Sequence, residues 1–278
     1  MLLGSVQIAG EELSILEIKD ICESLNNDSI RLLSLRGCHM DDSCFQKLTE
    51  SLKGNDSLVQ LNLNLGVVNS KDRIRWLTEG LIQNDSLTSL LMHGTPLQDE
   101  GMSIIVTALD DHPKLQSLDL GDCQLGDDGL ANVCSLLSSN GSKAGIMELT
   151  LTGNQGISQA GWAQLAMAIA NGSSLASLFL DYNNIGDFGA GAFAVALAAS
   201  KNMKVVDFEG CGITDVGAEL LYDLITTYNT PLREINLAEN KISEDLLEDI
   251  KDALDDDKQK DSFPRRRSSP QGKATSPE

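Results

Sequence analysis

The pattern L-x-x-L-x-L-x-x-(N/C)-x-(L/I) recurs through most of this chain and constrains its fold more than any other feature. Its clearest copies are Leu115-Leu118-Leu120-Cys123-Leu125, Leu175-Leu178-Leu180-Asn183-Ile185, Met203-Val206-Phe208-Cys211-Ile213 and Leu232-Ile235-Leu237-Asn240-Ile242. Ile30-Leu33-Leu35-Cys38-Met40 and Leu87-Leu90-Met92-Thr95-Leu97 are close variants. Leu58-Leu61-Leu63 has Gly66 at the polar position, and Ile146-Leu149-Leu151-Asn154 has one extra residue before Ile157. Successive copies start 28 to 31 residues apart, which is too long for a hairpin and right for one strand plus one helix per unit.

Each unit can be read physically. Alternation such as Leu118-x-Leu120 is a short half-buried strand. The polar residue three positions on (Asn154, Asn183, Asn240) can satisfy backbone groups where the chain turns away, and cysteine there (Cys38, Cys123, Cys211) is small and buriable. An Asp or Ser then precedes a glycine-containing helix start, as in Gly126-Asp-Asp-Gly129, Gly186-Asp-Phe-Gly189 and Thr214-Asp-Val-Gly217, and an Asp there is expected to cap the helix it opens. Helical spacing puts Leu130, Val133, Cys134 and Leu137 on one face. No unit can bury both its strand and its helix alone, so stacking must build one continuous core.

The expected fold is therefore an α/β repeat solenoid, with parallel strands on a concave face and helices on the convex face. Residues 1–29 read as a degenerate first repeat and cap (Leu3-Val6-Ile8-Leu13, then a helix from about Ile15 to Leu25), and 30–254 as eight repeats. The last helix is expected over Ser243 to Leu254. Residues 255–278, with Arg265-Arg-Arg267 and two Ser-Pro pairs, have the composition of a disordered tail. Ser268, Ser269 and Ser276 are candidate phosphorylation sites in it, where each phosphate would offset nearly two positive charges.

The repeats resemble leucine-rich repeats of the ribonuclease-inhibitor type over roughly residues 3 to 254. The resemblance implies a horseshoe solenoid acting as a non-enzymatic protein-binding scaffold. Arg73-Ile-Arg-Trp-Leu-Thr-Glu79 also resembles a segment of the Ran GTPase-activating proteins, which are solenoids of the same type. That implies an alternative in which Arg73 or Arg75 reaches a γ-phosphate in trans. The simpler expectation makes both arginines solvent-facing helix residues beside a buried Trp76 and Leu77.

Composition narrows the partners. With 41 Asp+Glu against 21 Lys+Arg the net charge is −20, a poor basis for binding nucleic acid or an anionic membrane. No window approaches the roughly 18 consecutive apolar residues of a membrane helix, and no secretory leader is evident. Six cysteines without paired spacing point to reduced thiols, hence a cytoplasmic or nuclear protein, expected as a monomer. The Asn-x-Ser triplets at Asn27, Asn55, Asn84, Asn140 and Asn171 read as turn chemistry. With three histidines and no HExxH, CxxC, GxSxG, GxGxxG or P-loop, no catalytic residue, metal ligand or cofactor is expected. Asp181-Tyr-Asn-Asn-Ile-Gly186 starts like a calcium loop, but Ile185 sits at a ligand position and the closing Glu is missing.

The residues between the apolar strand positions should line the inner face. Leu32, Ser34, Arg36, Gln60, Asn62, Asn64, Leu65, Ser89, Leu91 and His93 make its first half mixed and partly apolar. The second half is acidic: Asp119, Asp122, Glu148, Asp181, Asp207, Glu209, Glu234 and Glu239, with Phe179 and Tyr182 as aromatic anchors. Eight carboxylates on one wall predict a protein partner with a basic surface.

Overall fold

The computed structural model describes residues 4–137 and 145–262, with side chains described to Asp255. Strand and helix alternate throughout: β1 (Gly4–Gln7), α1 (Ile15–Asn26), β2 (Ile30–Ser34), α2 (Asp42–Glu50), β3 (Gln60–Asn62), α3 (Lys71–Leu81), β4 (Ser89–Leu91), α4 (Gln98–Leu109) and β5 (Ser117–Asp119). They continue as α5 (Asp127–Leu136), β6 (Glu148–Thr150), α6 (Gln159–Ala170), β7 (Ser177–Phe179), α7 (Gly186–Ala199), β8 (Val205–Asp207), α8 (Asp215–Thr227), β9 (Glu234–Asn236) and α9 (Glu244–Ser262). The strands form one parallel sheet in sequence order, β1 to β9. Its central register is the repeat register itself: Leu33, Leu61, Leu90, Leu118, Leu149, Leu178, Val206 and Ile235 are successive partners. Those leucines and Val206 are buried, and one hydrophobic core runs from Leu13 to Leu254 between the sheet and the helices.

Two polar ladders close the turns. At the strand exits, Asn154 Nδ2 donates to the carbonyls of Leu120 and Leu151, Asn183 to Leu151 and Leu180, and Asn240 to Phe208 and Leu237. Cys123 and Cys211 do the same job with a thiol, toward Met92 O (3.3 Å) and Leu180 O (3.1 Å). At the strand entries, Asn55 and Asn84 are buried; Asn55 holds Leu25 O and Asn84 holds Leu52 O. These two asparagines are turn-formers, as their repeating context implies.

The helix starts correct one expectation. Asp41 caps its own helix and Ser70, Ser158 and Thr214 cap theirs, but the aspartates of the Asp-Gly starts reach forward to the helix start of the following repeat. Asp99, in the first turn of α4, accepts from Gly126 N (2.7 Å) and Gly129 N (3.0 Å) at the start of α5, which has no cap from its own Gly126. Asp127 holds Ser158, and Asp187 holds Thr214 N, Thr214 Oγ and Gly217 N. The adjoining glycines make room for the incoming carboxylate: a Cβ on Gly129 would lie 2.5 Å from Asp99 Oδ1, and one on Gly161 2.3 Å from Asp127 Oδ1. The aspartate and the glycine three residues into the next helix are thus one device.

At the C-terminal end, α9 runs on to Ser262, past the expected end near Leu254. The candidate phosphorylation sites Ser268, Ser269 and Ser276 lie outside the described residues.

Candidate protein-binding face

Strand pairing sorts the strand-face residues into columns that run across the repeats. The first passes through Leu32, Gln60, Ser89, Ser117, Glu148, Ser177, Val205 and Glu234. The second passes through Ser34, Asn62, Leu91, Asp119, Thr150, Phe179, Asp207 and Asn236. Backbone bonds extend the pairing beyond the strands, through Gly37 N to Asn64 O, Leu65 N to His93 O, Asp122 N to Thr152 O and Tyr182 N to Glu209 O. Arg36, Asn64, His93, Gly121, Thr152, Asp181 and Glu209 therefore form a third column, with a rim one residue further on.

That rim was not visible in the repeat pattern. In every repeat its residue lies in the left-handed region, and glycine alternates with a side chain: Gly37, Leu65 (φ 62°), Gly94, Asp122 (48°), Gly153, Tyr182 (58°), Gly210, Glu239 (54°). Four non-glycine residues hold a backbone conformation that costs on the order of 1 kcal/mol each. The neighbouring glycine is needed for space as well as for φ. A Cβ on Gly94 would lie 3.2 Å from Leu65 Cδ2, and one on Gly210 2.8 Å from the ring of Tyr182. Leu65 and Tyr182 thus lie across glycine platforms and remain exposed. A glycine at every second rim position was the available signal.

All eight carboxylates fall on the strand side, but only some meet. Tyr182 donates its hydroxyl to Glu209 Oε1 at 2.5 Å and approaches Glu239 Oε2 at 3.3 Å. Asn236, beside Asp207 in the second column, donates to Asp207 Oδ2 (3.1 Å) and Glu209 Oε2 (2.9 Å). These bonds join Asp207, Glu209 and Glu239 into one cluster. The Tyr182 and Asn236 donors hold the Glu209 carboxyl below its ordinary pKa, and Glu209 in turn pushes the Tyr182 phenol up. Asp181 accepts from Thr152 Oγ (2.7 Å) in the adjacent repeat. Phe179 is half-buried between Thr150 and Asp207.

The other carboxylates stand apart. Asp119 accepts from Gly121 N and lies 3.6 Å from His93 Nδ1, whose ring occupies the space a Cβ on Gly121 would need. Glu148 accepts from Ser117, Glu234 is exposed on β9, and Asp122 is exposed on the rim. Among the described residues no Lys or Arg ion pair reaches any of the eight.

Arg73 is not solvent-facing, which corrects the simpler reading of its segment. It is 5% exposed, with Nε on Asp42 (2.8 Å), one terminal nitrogen on Val67 O (2.8 Å), the other on Met40 O (2.5 Å), and its guanidinium carbon 5.0 Å from the Phe45 ring centre. Gly66 leaves this turn without a polar side chain, and Arg73 supplies donors to it from the helix. Arg75 is exposed and pairs with Asp72, while Trp76 is half-buried. Leu77 is buried as expected.

The remaining chemistry is structural in character. The thiols of Cys123 and Cys211 are pushed up to about 12, and that of Cys134 to about 11, by burial. In the calcium-like segment, Asn183 and Ile185 are buried and Asn183 binds backbone carbonyls. No cluster of three or more metal-ligating side chains occurs among the described residues, and no helix there is long and apolar enough to cross a membrane.

Among the described residues, a parallel sheet stacked one repeat at a time against a row of helices, with a solvent-facing strand surface, defines a leucine-rich repeat solenoid. The leucine-rich repeat model matches residues 111–134 and 199–221. The chain is 48% identical over 263 residues to leucine-rich repeat-containing protein 73 of Rattus norvegicus, covering 95% of this chain and 83% of that one. It is also 48% identical to the Homo sapiens protein of that name, over 91% of this chain and 80% of the other. This chain belongs to the leucine-rich repeat family, with leucine-rich repeat-containing protein 73 among its relatives. Among solved structures, the yeast Rad7 and Elc1 complex shares the fold, with a TM-score of 0.50 at 13% identity over 88% of this chain and 66% of that one. Proteins of this family generally act by binding other proteins across such extended surfaces.

Proposed function

We propose that this chain is a non-enzymatic, cytoplasmic or nuclear scaffold that binds a basic protein surface on the acidic half of its strand face. The observation that carries the reading is the cluster of Asp207, Glu209 and Glu239, held by Tyr182 and Asn236 beside Asp181 with no lysine or arginine paired among them. Carboxylates fixed by neutral donors keep their charge and do not fold back on a local cation, so their field is directed outward. Such a surface speeds encounter with a cationic partner and makes binding depend on salt. Phe179 and Tyr182 add apolar contact within the charged area, the combination typical of interface anchors.

The test is affinity capture from cell extract, comparing wild type with Asp181→Asn, Asp207→Asn, Glu209→Gln and Glu239→Gln combined. These changes remove charge while keeping shape and most hydrogen bonds. Loss of specific partners, with the same cooperative unfolding and weaker capture between roughly 50 and 200 mM salt, supports the reading. A partner set retained by the variant and indifferent to salt refutes it.

A further inference from the structure

On the opposite side of the solenoid, α7, like α6 before it, is almost without charge. Its sequence from Gly186 to Ala199 holds a single charged residue, Asp187, and that carboxylate is bound to Thr214 and Gly217. A surface helix that is apolar all round ordinarily has something on its outer side. Here the outward stripe Phe188, Ala192, Val195 and Ala199 follows the helical period, and Phe188 and Val195 are 63% and 69% exposed. The facing stripe of α8 continues it with Val216 and Leu220, then ends in Asp223 and Thr227.

Between the two helices lies a groove of about 730 Å³. Its floor is Gly191, Ala194 and Ala198; Val195 forms one wall, and Leu220 and Tyr228 the other. The small floor residues let α7 and α8 approach closely: a Cβ on Gly191 would come within 3.0 Å of Leu220 Cδ1. One rim is charged and the other is not. Asp223 lines the α8 side and Glu219 is exposed beside it, whereas α7 offers no charge along its length beyond Asp187.

Area and charge together select the occupant. Phe188, Val195, Leu220 and Tyr228 present on the order of 400 Å² of exposed surface, against roughly 800 Å² per partner in a standard stable interface. That is too little for a symmetric pair of copies, which would also set the two acidic rims of a −20 chain near one another. It suits one face of a helix of three to four turns, about the length of α7 itself. We propose that the α7–α8 groove is a second protein-binding site, independent of the strand face. Its ligand is an amphipathic helix with apolar side chains at i, i+3, i+4 and i+7 and lysine or arginine along the flank facing Glu219 and Asp223.

The probe is a fluorescent 16-residue peptide of leucine and lysine with that spacing, beside a scrambled peptide of identical composition without an apolar stripe. Fluorescence anisotropy should show binding of the patterned peptide alone. Val195→Glu and Leu220→Glu, each at an exposed position and so compatible with folding, should weaken it by about tenfold or more. The strand-face variant Asp181→Asn, Asp207→Asn, Glu209→Gln, Glu239→Gln should bind it as wild type does. Equal binding of the scrambled peptide, no binding of the patterned one, or Val195→Glu and Leu220→Glu binding like wild type each overturns the proposal. Sedimentation showing a wild-type dimer that Val195→Glu dissolves would assign the groove to a second copy and overturn it too.

Discussion

Replacing Gly129 by alanine should destabilise this protein although it removes a glycine from a helix, and the sign should reverse when Asp99 is removed. In an ordinary exposed helix, glycine to alanine gains roughly 0.5–1 kcal/mol. At Gly129 the new methyl would sit 2.5 Å from Asp99 Oδ1 and 3.1 Å from Leu125 Cδ2. The leucine end can rotate away, but the carboxylate cannot move without releasing Gly126 N and Gly129 N. Losing that cap costs about 1 kcal/mol and the crowding another 1–3 kcal/mol, so Gly129→Ala should cost about 1–3.5 kcal/mol net of the helix gain. Asp99→Ala alone should cost about 1 kcal/mol. In that background the methyl has room, and Gly129→Ala should become neutral or stabilise by up to about 1 kcal/mol. Urea denaturation of the four proteins gives the coupling directly, expected near 2 kcal/mol. Additive effects, or stabilisation by Gly129→Ala in wild type, would refute the idea that Asp99 caps the next helix through the space at Gly129.

Arg73→Met should cost about 3–5 kcal/mol in thermal or urea unfolding, because it strands Val67 O and Met40 O, while Arg75→Ala should stay within about 0.5 kcal/mol. Cys123 and Cys211 should resist a thiol reagent in the native protein at pH 8 and react fully only on unfolding, since burial holds both at about 12. Asp187, held below its ordinary pKa first by Thr214 N, should stabilise the fold fully above about pH 4 and lose that contribution as pH falls through its lower native value. Asp187→Asn should therefore narrow the stability difference between pH 6 and pH 3, as measured by urea midpoints. Leu118→Ala or Leu178→Ala should cost roughly 2–5 kcal/mol; near wild-type melting of both would contradict the register.

What the sequence revealed was whatever one repeat contains within itself. The Leu118-x-Leu120 alternation, the buried cysteines and asparagines after the strands, and the apolar face of α5 all depend on local period, and a period is visible in one dimension. What it hid is formed between repeats. Asp99 belongs by sequence to α4 and by hydrogen bond to α5, so a local capping rule assigned the aspartates to the wrong helix. Arg73 read as exposed because helical spacing cannot show that a turn with Gly66 lacks a donor. On the strand face, the acidic residues were placed on the correct side by alternation alone. Their division into a hydrogen-bonded cluster and isolated members depends on Tyr182 and Asn236 reaching across repeats, which alternation within one repeat cannot show.

The alternating rim gives the strand face a fixed spacing of side chains. Leu65, Asp122, Tyr182 and Glu239 each project from the same point of every second repeat, with glycine between. With strands about 4.8 Å apart, the rim offers a readable side chain roughly every 10 Å. A chain in the polyproline II conformation advances about 3.1 Å per residue with three residues per turn, so one laid across the repeats would come back into step after about three residues. Its sequence would be sampled at every third position, in the order leucine, aspartate, tyrosine, glutamate. Adding or deleting one repeat would shift every later residue of the rim by half a period.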